Sequence, residues 1–377
     1  MHPWPRRKQR TAAALRPSGA GALLLTHLPD VRWLCGFTGS NAAVVLLAGP
    51  GRARARLFTD GRYTTQAKAE ALGTPVSLSL RSATAAACEW MAAAGVTRCG
   101  FDETHTTVAA LDALRAALPA PLRRRMFAPV GPLVARLREI KDALEIETMR
   151  AAAALGCRLF DDILGYMEPG MSEAAVAAEL ERRARRAGAE AMSFDTIVAG
   201  AERSALPHGR ASQARLPRRG FCTLDFGVVL RGYCSDMTRT VHLGKATPEE
   251  HRVYEAVLEA QQAGVRAVAD GVPASDVDEA ARSVLRTARL DRWFTHSTGH
   301  GVGIEIHEGP RLARKPDPAP PKRRAPPPET LKTKMVVTIE PGVYLPGRFG
   351  VRIEDTVLVT RTGCEILTPC TKAWIEL

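Results

Sequence analysis

The sequence predicts an α+β protein of two domains, a smaller α/β domain over residues 1–135 and a larger one over 139–377. Three observations predict it. The chain has 377 residues, more than the about 100–200 that a single domain ordinarily takes. Its first part alternates short apolar runs with helix-like stretches, the α/β pattern. Its remainder opens with strong helix starts and continues through strands and further helices, which suits helices lying on one face of an antiparallel sheet.

Arg6 and Arg7 precede an apolar run at 22–25 that is too short for an export signal and is followed by Pro29 and Asp30 in place of a cleavage site. The run therefore reads as a first buried strand over 22–26, and the protein as cytoplasmic. Residues 44–47 read as a strand, 84–94 and 107–118 as helices, and APVGP at 128–132 as a linker. Asp142 with Glu145 makes a capping-box-like start for a helix running to about 167 and closed by Pro169 and Gly170. Ser172 caps the next helix, which Gly188 ends. Thr247, Pro248 and Glu250 combine an N-cap, proline at the first helical position and a glutamate at the third. Ser275 with Asp278 repeats the signal. Strand-like pieces cover 220–229, 232–243, 335–339 and 351–360. Residues 311–334 are proline-rich and basic, the composition of an exposed loop.

Composition narrows the function classes. Hydrophobic residues make up 45% and charged residues 24%, an ordinary globular balance. No apolar run approaches the ~18 residues of a membrane span, so no membrane partner is expected. The net charge is +12, but the arginines are scattered and no aromatics interleave with them, so they read as a solvated surface and not as a nucleic-acid site. The eight cysteines form no CxxC pair and no metal or disulfide spacing, so reduced, mostly buried thiols are expected.

The chemistry concentrates in the second half. Asp225 in TLDFG and Asp236 in CSDMTRT flank an expected hairpin turning near Leu230 and Gly232. Their numbers sum to an odd value, so any hairpin loop of even length places both on one sheet face. Two carboxylates that close would raise one pKa strongly, and a cation removes the penalty. Glu340 ends the apolar run MVVTI, and Glu354 sits in VRIEDTVLV; a lone buried glutamate is rare unless paired. Arg352, two residues before Glu354, shares its face. HSTGHGVGIEIH brings His296, His300 and His307 close in sequence, with glycines that permit tight backbone approach around His300. His208 stands on a Pro/Gly loop, where functional side chains often sit. Four carboxylates and one imidazole are an oxygen-rich ligand set suited to a pair of divalent metals.

LDFG, SDMTRT, HSTGHGVGIEIHEGP, VVTIEPGVY and GVRIEDT, in this order, resemble the pita-bread metallopeptidase family, which includes methionine aminopeptidase, creatinase and the Xaa-Pro peptidases. VRWLCGFTGSNAA and LFTDGRYTTQA resemble the creatinase-like N-terminal domain of the Xaa-Pro branch. The resemblance spans about residues 12–377. The five motifs together are specific where each alone is weak. The stretch 311–334 departs from it by its length and proline content.

The resemblance implies a creatinase-like N-terminal domain and a curved antiparallel sheet covered by helices. It implies Asp225, Asp236, His300, Glu340 and Glu354 as ligands of two divalent ions, with Asp236 and Glu354 bridging. Manganese suits such a site, and cobalt, iron or zinc can replace it. It further implies catalytic roles for His208, His307 and Glu340 and substrate contacts for His296 and Arg352. The activity implied first is that of an Xaa-Pro aminopeptidase, in which a metal-bridging hydroxide cleaves the bond between an N-terminal residue and proline. Its alternatives are an Xaa-Pro dipeptidase (prolidase), a creatinase-like C–N hydrolase and a non-catalytic peptide-binding protein. The expected partners are a peptide with proline in second position and a second copy of the chain in a homodimer.

Overall fold

In the computed structural model, which describes residues 2–49, 51–315 and 329–377, the chain divides into two compact units, Met1–Arg138 and Glu139–Leu377. The first is built on a mixed six-stranded sheet in the spatial order Val76–Ser79, Arg54–Asp60, Ala43–Leu47, Ala22–Leu25, Cys99–Phe101, Phe127–Pro129. The middle strands pair antiparallel and the outer ones parallel. Ala22–Leu25 is buried along its whole length, which explains why it reads as an unbroken apolar run. Helix Ala83–Ala93 covers the sheet, packing Cys88 and Met91 with Leu24, Val45 and Phe58.

Two features of this unit depart from the sequence reading. The expected linker begins as the edge strand Phe127–Pro129; proline lacks an N–H and is tolerated at an edge. Helix Trp4–Leu15 was not foreseen because its first turns are basic. Its buried cations are spent on acceptors within the unit. Arg7 donates to the Trp33 carbonyl at 2.8 Å, and Lys8 to the Gly73 carbonyl at 2.8 Å and the Thr74 hydroxyl at 2.6 Å.

In the second unit the strands pair antiparallel, with a single-residue parallel bridge between His242 and Glu376 beside them. Helices Ala143–Leu164 and Glu173–Arg186 lie on strands Gly220–Phe226 and Met237–Leu243, burying Leu159, Phe160 and Leu180 against Leu224, Phe226 and Met237. Each such side chain contributes about 1.5–3 kcal/mol by leaving water. Helices Pro248–Ala267 and Ala274–Thr287 cover strands Gly342–Leu345 and Phe349–Arg352 through Val257, Ala281 and Leu285. The capping boxes at Asp142/Glu145 and Thr247/Glu250 form as the spacing requires. Ser275/Asp278 does not: the helix begins at Ala274 without a side-chain cap, and Asp278 is buried in an ion pair with Arg282. An i, i+4 ion pair competes with the cap for the same carboxylate, and here it wins.

The proline-rich stretch is ordered at both ends. Residues 311 and 312 belong to strand Glu308–Leu312, and Leu331 is buried and bonded to Gly271 and Val272. Apolar Leu312 and Leu331 bury in the same core. The exposed-loop expectation for 316–328 lies outside the described residues.

Candidate metal centre

Of the sequence-predicted ligands in the second unit, Asp236, Glu340 and Glu354 fall between strands, while Asp225 and His300 lie within them. The hairpin around Asp225 and Asp236 turns at Arg231 and Gly232, both with positive φ (47° and 72°), the two-residue turn that matches strand twist. Near its tip Leu230 faces Tyr233, and further down Phe226 faces Met237. Between these the ladder bends at Gly227, where a Cβ would stand 1.8 Å from the Ser235 carbonyl oxygen. The sequence reading had two unbroken strands here; the bend is the price of that close approach. Asp225 pairs with Thr238, so Asp236 lies two residues off, diagonal and on the same face.

The other three ligands come from further strands. His300 is central in strand Gly299–Gly301, where a Cβ on Gly299 would stand 1.9 Å from the Thr338 carbonyl oxygen. Glu340 follows strand Val336–Ile339, and its N–H donates to Thr298 at 2.7 Å. Glu354 lies between strands Phe349–Arg352 and Asp355–Val359 and donates its N–H to Thr238 at 3.1 Å.

Oxygens of Asp225, Asp236 and Glu354 lie within 4.8 Å of one another. His300 Nε2 is 3.3 Å from Glu340 Oε1 and 3.7 Å from Asp236 Oδ2. Its Nδ1 is 2.9 Å from the Gly301 carbonyl; a proton held there leaves the Nε2 lone pair facing the carboxylates. Burial also keeps this imidazole neutral by lowering its pKa. Burial, then the charge of neighbouring carboxylates, raises Asp236 and Glu354 well above the usual range and pushes Glu340 up to about 7. Asp225 Oδ1 and Glu354 Oε1 are buried without a hydrogen-bond partner. An orphaned buried acceptor costs about 1–3 kcal/mol, more when charged, and divalent cations would satisfy both. The donor set therefore fits them.

A web of protein donors fixes the carboxylates' other oxygens. Thr238 Oγ1 donates to Glu354 Oε2 at 2.7 Å and accepts from Arg352 Nε at 3.1 Å. Arg352 also donates to Asp225 Oδ2 at 2.5 Å, the Tyr344 hydroxyl at 2.7 Å and the Pro207 carbonyl at 3.0 Å. Tyr344 in turn meets His296 Nε2 at 2.8 Å, while His296 Nδ1 is 2.8 Å from the Ser297 carbonyl. Burial and the nearby Arg352 charge lower His296 to about 4, so it is neutral. His296 and Arg352, expected as substrate contacts, thus make their strongest bonds to protein groups.

The ligands open onto a cavity of about 810 Å³, which His208, His296, His307 and Arg352 also line. The His307 ring lies 4.4 Å from that of His300. Burial, then the neighbouring His300 and His208, lower its pKa. Neither His208 nor His307 has a side-chain hydrogen bond to the described residues, so their ring nitrogens are available to a bound molecule.

Sequence reasoning missed Tyr344, Thr238 and the Asp278–Arg282 pair. Arg282 donates to the carbonyls of Phe294 and His296, and Asp278 accepts from Thr298, which together pin the loop bearing His296. Tyr344 and Thr238 lie inside the quoted motifs VVTIEPGVY and SDMTRT, and alternation with the ligands was the available signal.

Comparison with known proteins gives matches to Metallopeptidase family M24 over residues 147–361 and to the Creatinase/Prolidase N-terminal domain over 7–140. The chain is 39% identical over 242 residues to the Xaa-Pro dipeptidase of Pyrococcus furiosus, covering 64% of this chain and 66% of that one. The structure of an Xaa-Pro dipeptidase from Bacillus anthracis superposes with a TM-score of 0.91 at 36% identity, covering 99% of both chains. That of an X-Pro aminopeptidase from Thermotoga maritima superposes with a TM-score of 0.85 at 32% identity, covering 97% of this chain and 100% of the other.

Proposed function

The chain belongs to metallopeptidase family M24, with a creatinase/prolidase N-terminal domain and the pita-bread fold, and from that premise we propose that it is an Xaa-Pro dipeptidase using two divalent metal ions. The observation that carries the reading is the cluster of Asp225, Asp236, His300, Glu340 and Glu354 on one cavity, together with proline peptidases among its relatives. The dipeptidase, first held as the alternative, now leads because dipeptidases and prolidases recur among those relatives. The aminopeptidase remains the second reading, favoured by the Thermotoga maritima likeness.

Asp225, Asp236, His300, Glu340 and Glu354 would hold the ions, manganese by preference for so carboxylate-rich a set. When bound, such ions polarise the scissile carbonyl and let a water act as nucleophile at neutral pH. Glu340, whose Oε1 is steadied by the Thr338 hydroxyl at 3.1 Å, takes the proton of the attacking water. His208 and His307 meet the developing oxyanion and return a proton to the departing nitrogen. Thr238 and Arg352 hold Glu354 and Asp225 in orientation.

Proline makes two demands. Its amide nitrogen carries no N–H for an enzyme to grip, so selection rests on ring shape. Phe194, Ile197, Pro207 and Ile306 give the cavity an apolar wall for it. Xaa-Pro substrates are expected to exceed Xaa-Ala by more than ~100-fold in kcat/KM, the range a shaped pocket supplies. His307→Ala is expected to lower kcat at least ~100-fold with metal content unchanged. Equal rates on proline and alanine substrates would refute the specificity, and metal loss in His307→Ala the role of that histidine.

No helix among the described residues is long and apolar enough to cross a membrane. A cytoplasmic location and a homodimer complete the proposal. Light scattering of the active protein should give twice 40.7 kDa; a monomer would reject the dimer.

A further inference from the structure

We propose that the buried ion pair between Lys141 and Glu308 positions His307 for proton transfer. The inference rests on the proline-peptidase reading above, in which His307 acts on the departing nitrogen, and it adds two positioning residues to that step.

His307 is exposed, and its ring makes no side-chain hydrogen bond to the described residues. A proton donor must nevertheless stand within about 2.6–3.2 Å of the atom it serves. The backbone that carries the ring must therefore hold it there. That backbone is irregular, since residues 302–307 join strands Gly299–Gly301 and Glu308–Leu312 without belonging to either.

Glu308, the next residue, braces this loop from inside. Its side chain is 5% exposed and that of Lys141 1%, with Lys141 Nζ donating to Glu308 Oε2 at 2.9 Å. The other oxygen, Oε1, accepts from the Glu305 N–H at 3.2 Å. Gly303 lies against the same carboxylate, where a Cβ would stand 2.5 Å from both oxygens. Gly303 in turn donates its N–H to the Glu305 carbonyl at 3.0 Å, and its own carbonyl accepts from Cys234 at 2.8 Å. The loop is thus gathered round one carboxylate, with His307 held between Glu305 and Glu308.

Lys141 gives that carboxylate a fixed reference. Its N–H donates to the Lys334 carbonyl at 3.0 Å, and it directly precedes Asp142, the N-cap of helix Ala143–Leu164. An ion pair taken out of water gains little net stability over apolar packing of similar volume. Stability alone therefore does not account for the pair, whereas a fixed direction for the Glu308 carboxylate does. The stake is large, because misplacing a catalytic group by about 1 Å can cost ~100-fold in rate.

The test is a double-mutant cycle on the manganese-loaded full chain hydrolysing Leu-Pro, with Lys141→Met and His307→Ala made singly and together. Lys141→Met should lower kcat by about 10- to 100-fold, with KM changed less than about twofold and bound metal unchanged. In the His307→Ala background it should cost nothing further, because a residue that acts through His307 has nothing left to position. Lys141→Met leaves a carboxylate buried and unpaired, which the doubly neutral Lys141→Met/Glu308→Gln does not. The neutral pair carries the same cycle should the single variant fail to fold. A second readout is independent of turnover. In the metal-free protein, the imidazole NMR signal that is missing from His307→Ala should shift when the ion pair is removed. An unmoved signal, an unchanged kcat, a loss of metal, or an equal loss of kcat in both backgrounds would each overturn the proposal. If His307→Ala is slow and the cycle is additive, this inference alone falls. If His307→Ala is as fast as the wild type, or the wild type does not hydrolyse Leu-Pro, the reading above falls and takes the inference with it.

Discussion

Asp236→Asn and Glu354→Gln are expected to fold and to lose at least ~10³-fold in turnover, the scale of removing one key electrostatic group. Both side chains are buried among like charges, so neither substitution removes a contact on which the apolar core depends. Turnover by the wild type after exhaustive chelation would sink the two-metal reading. A second readout does not depend on activity. In the metal-free protein a carboxyl with a raised folded-state pKa contributes stability that is fully present below its unfolded value and lost as pH rises through its folded value. For Glu340 that window runs from 4.5 to about 7. The Tm gap between metal-loaded and chelated protein should therefore widen as pH climbs through the window. Glu354→Gln, which deletes one of the repelling charges, should narrow it. A gap independent of pH in both proteins would show that the cluster does not repel itself.

Arg239→Ala is expected to destabilise the protein by about 3–5 kcal/mol, the cost of removing one partner of a buried ion pair. Arg239 is 2% exposed and Asp355, its partner at 2.9 Å, is fully buried. The same guanidinium donates to the carbonyls of Thr238, Thr368, Cys370 and Thr371 at 2.9–3.0 Å, and to that of Glu354. It thereby ties the C-terminal segment to the backbone of a candidate metal ligand. Asp355 keeps Gln261 and Lys372, yet the carbonyls lose their donor in a place water cannot reach. Lysine is no substitute, because a single ammonium cannot present the planar fork these acceptors surround. Chemical denaturation measures the effect; a loss below ~1 kcal/mol would mean that the network contributes little beyond packing.

The sequence alone determined what is local. Asp142 with Glu145 and Thr247 with Glu250 announce their helices because a capping box needs only residues three apart. The odd sum of 225 and 236 places two carboxylates on one face for any hairpin loop of even length, because side chains alternate with period two. Ordered motifs supplied the resemblance, and with it the fold, before any contact was known.

What only the tertiary structure decided depends on residues far apart in the chain. Ser275 and Asp278 carry a cap's spacing, but Asp278 is claimed by Arg282 and Thr298. Arg352 shares a face with Glu354, as alternation requires, yet its charge goes to Asp225 and its remaining donors to Thr238, Tyr344 and Pro207. The bend at Gly227 needs the Ser235 carbonyl against it, and the buried cations of Trp4–Leu15 need the carbonyls of Trp33 and Gly73. A polar side chain in isolation reads as solvent-facing. It becomes structural only when folding removes water and puts a specific acceptor in its place, and no spacing rule reports where that acceptor comes from.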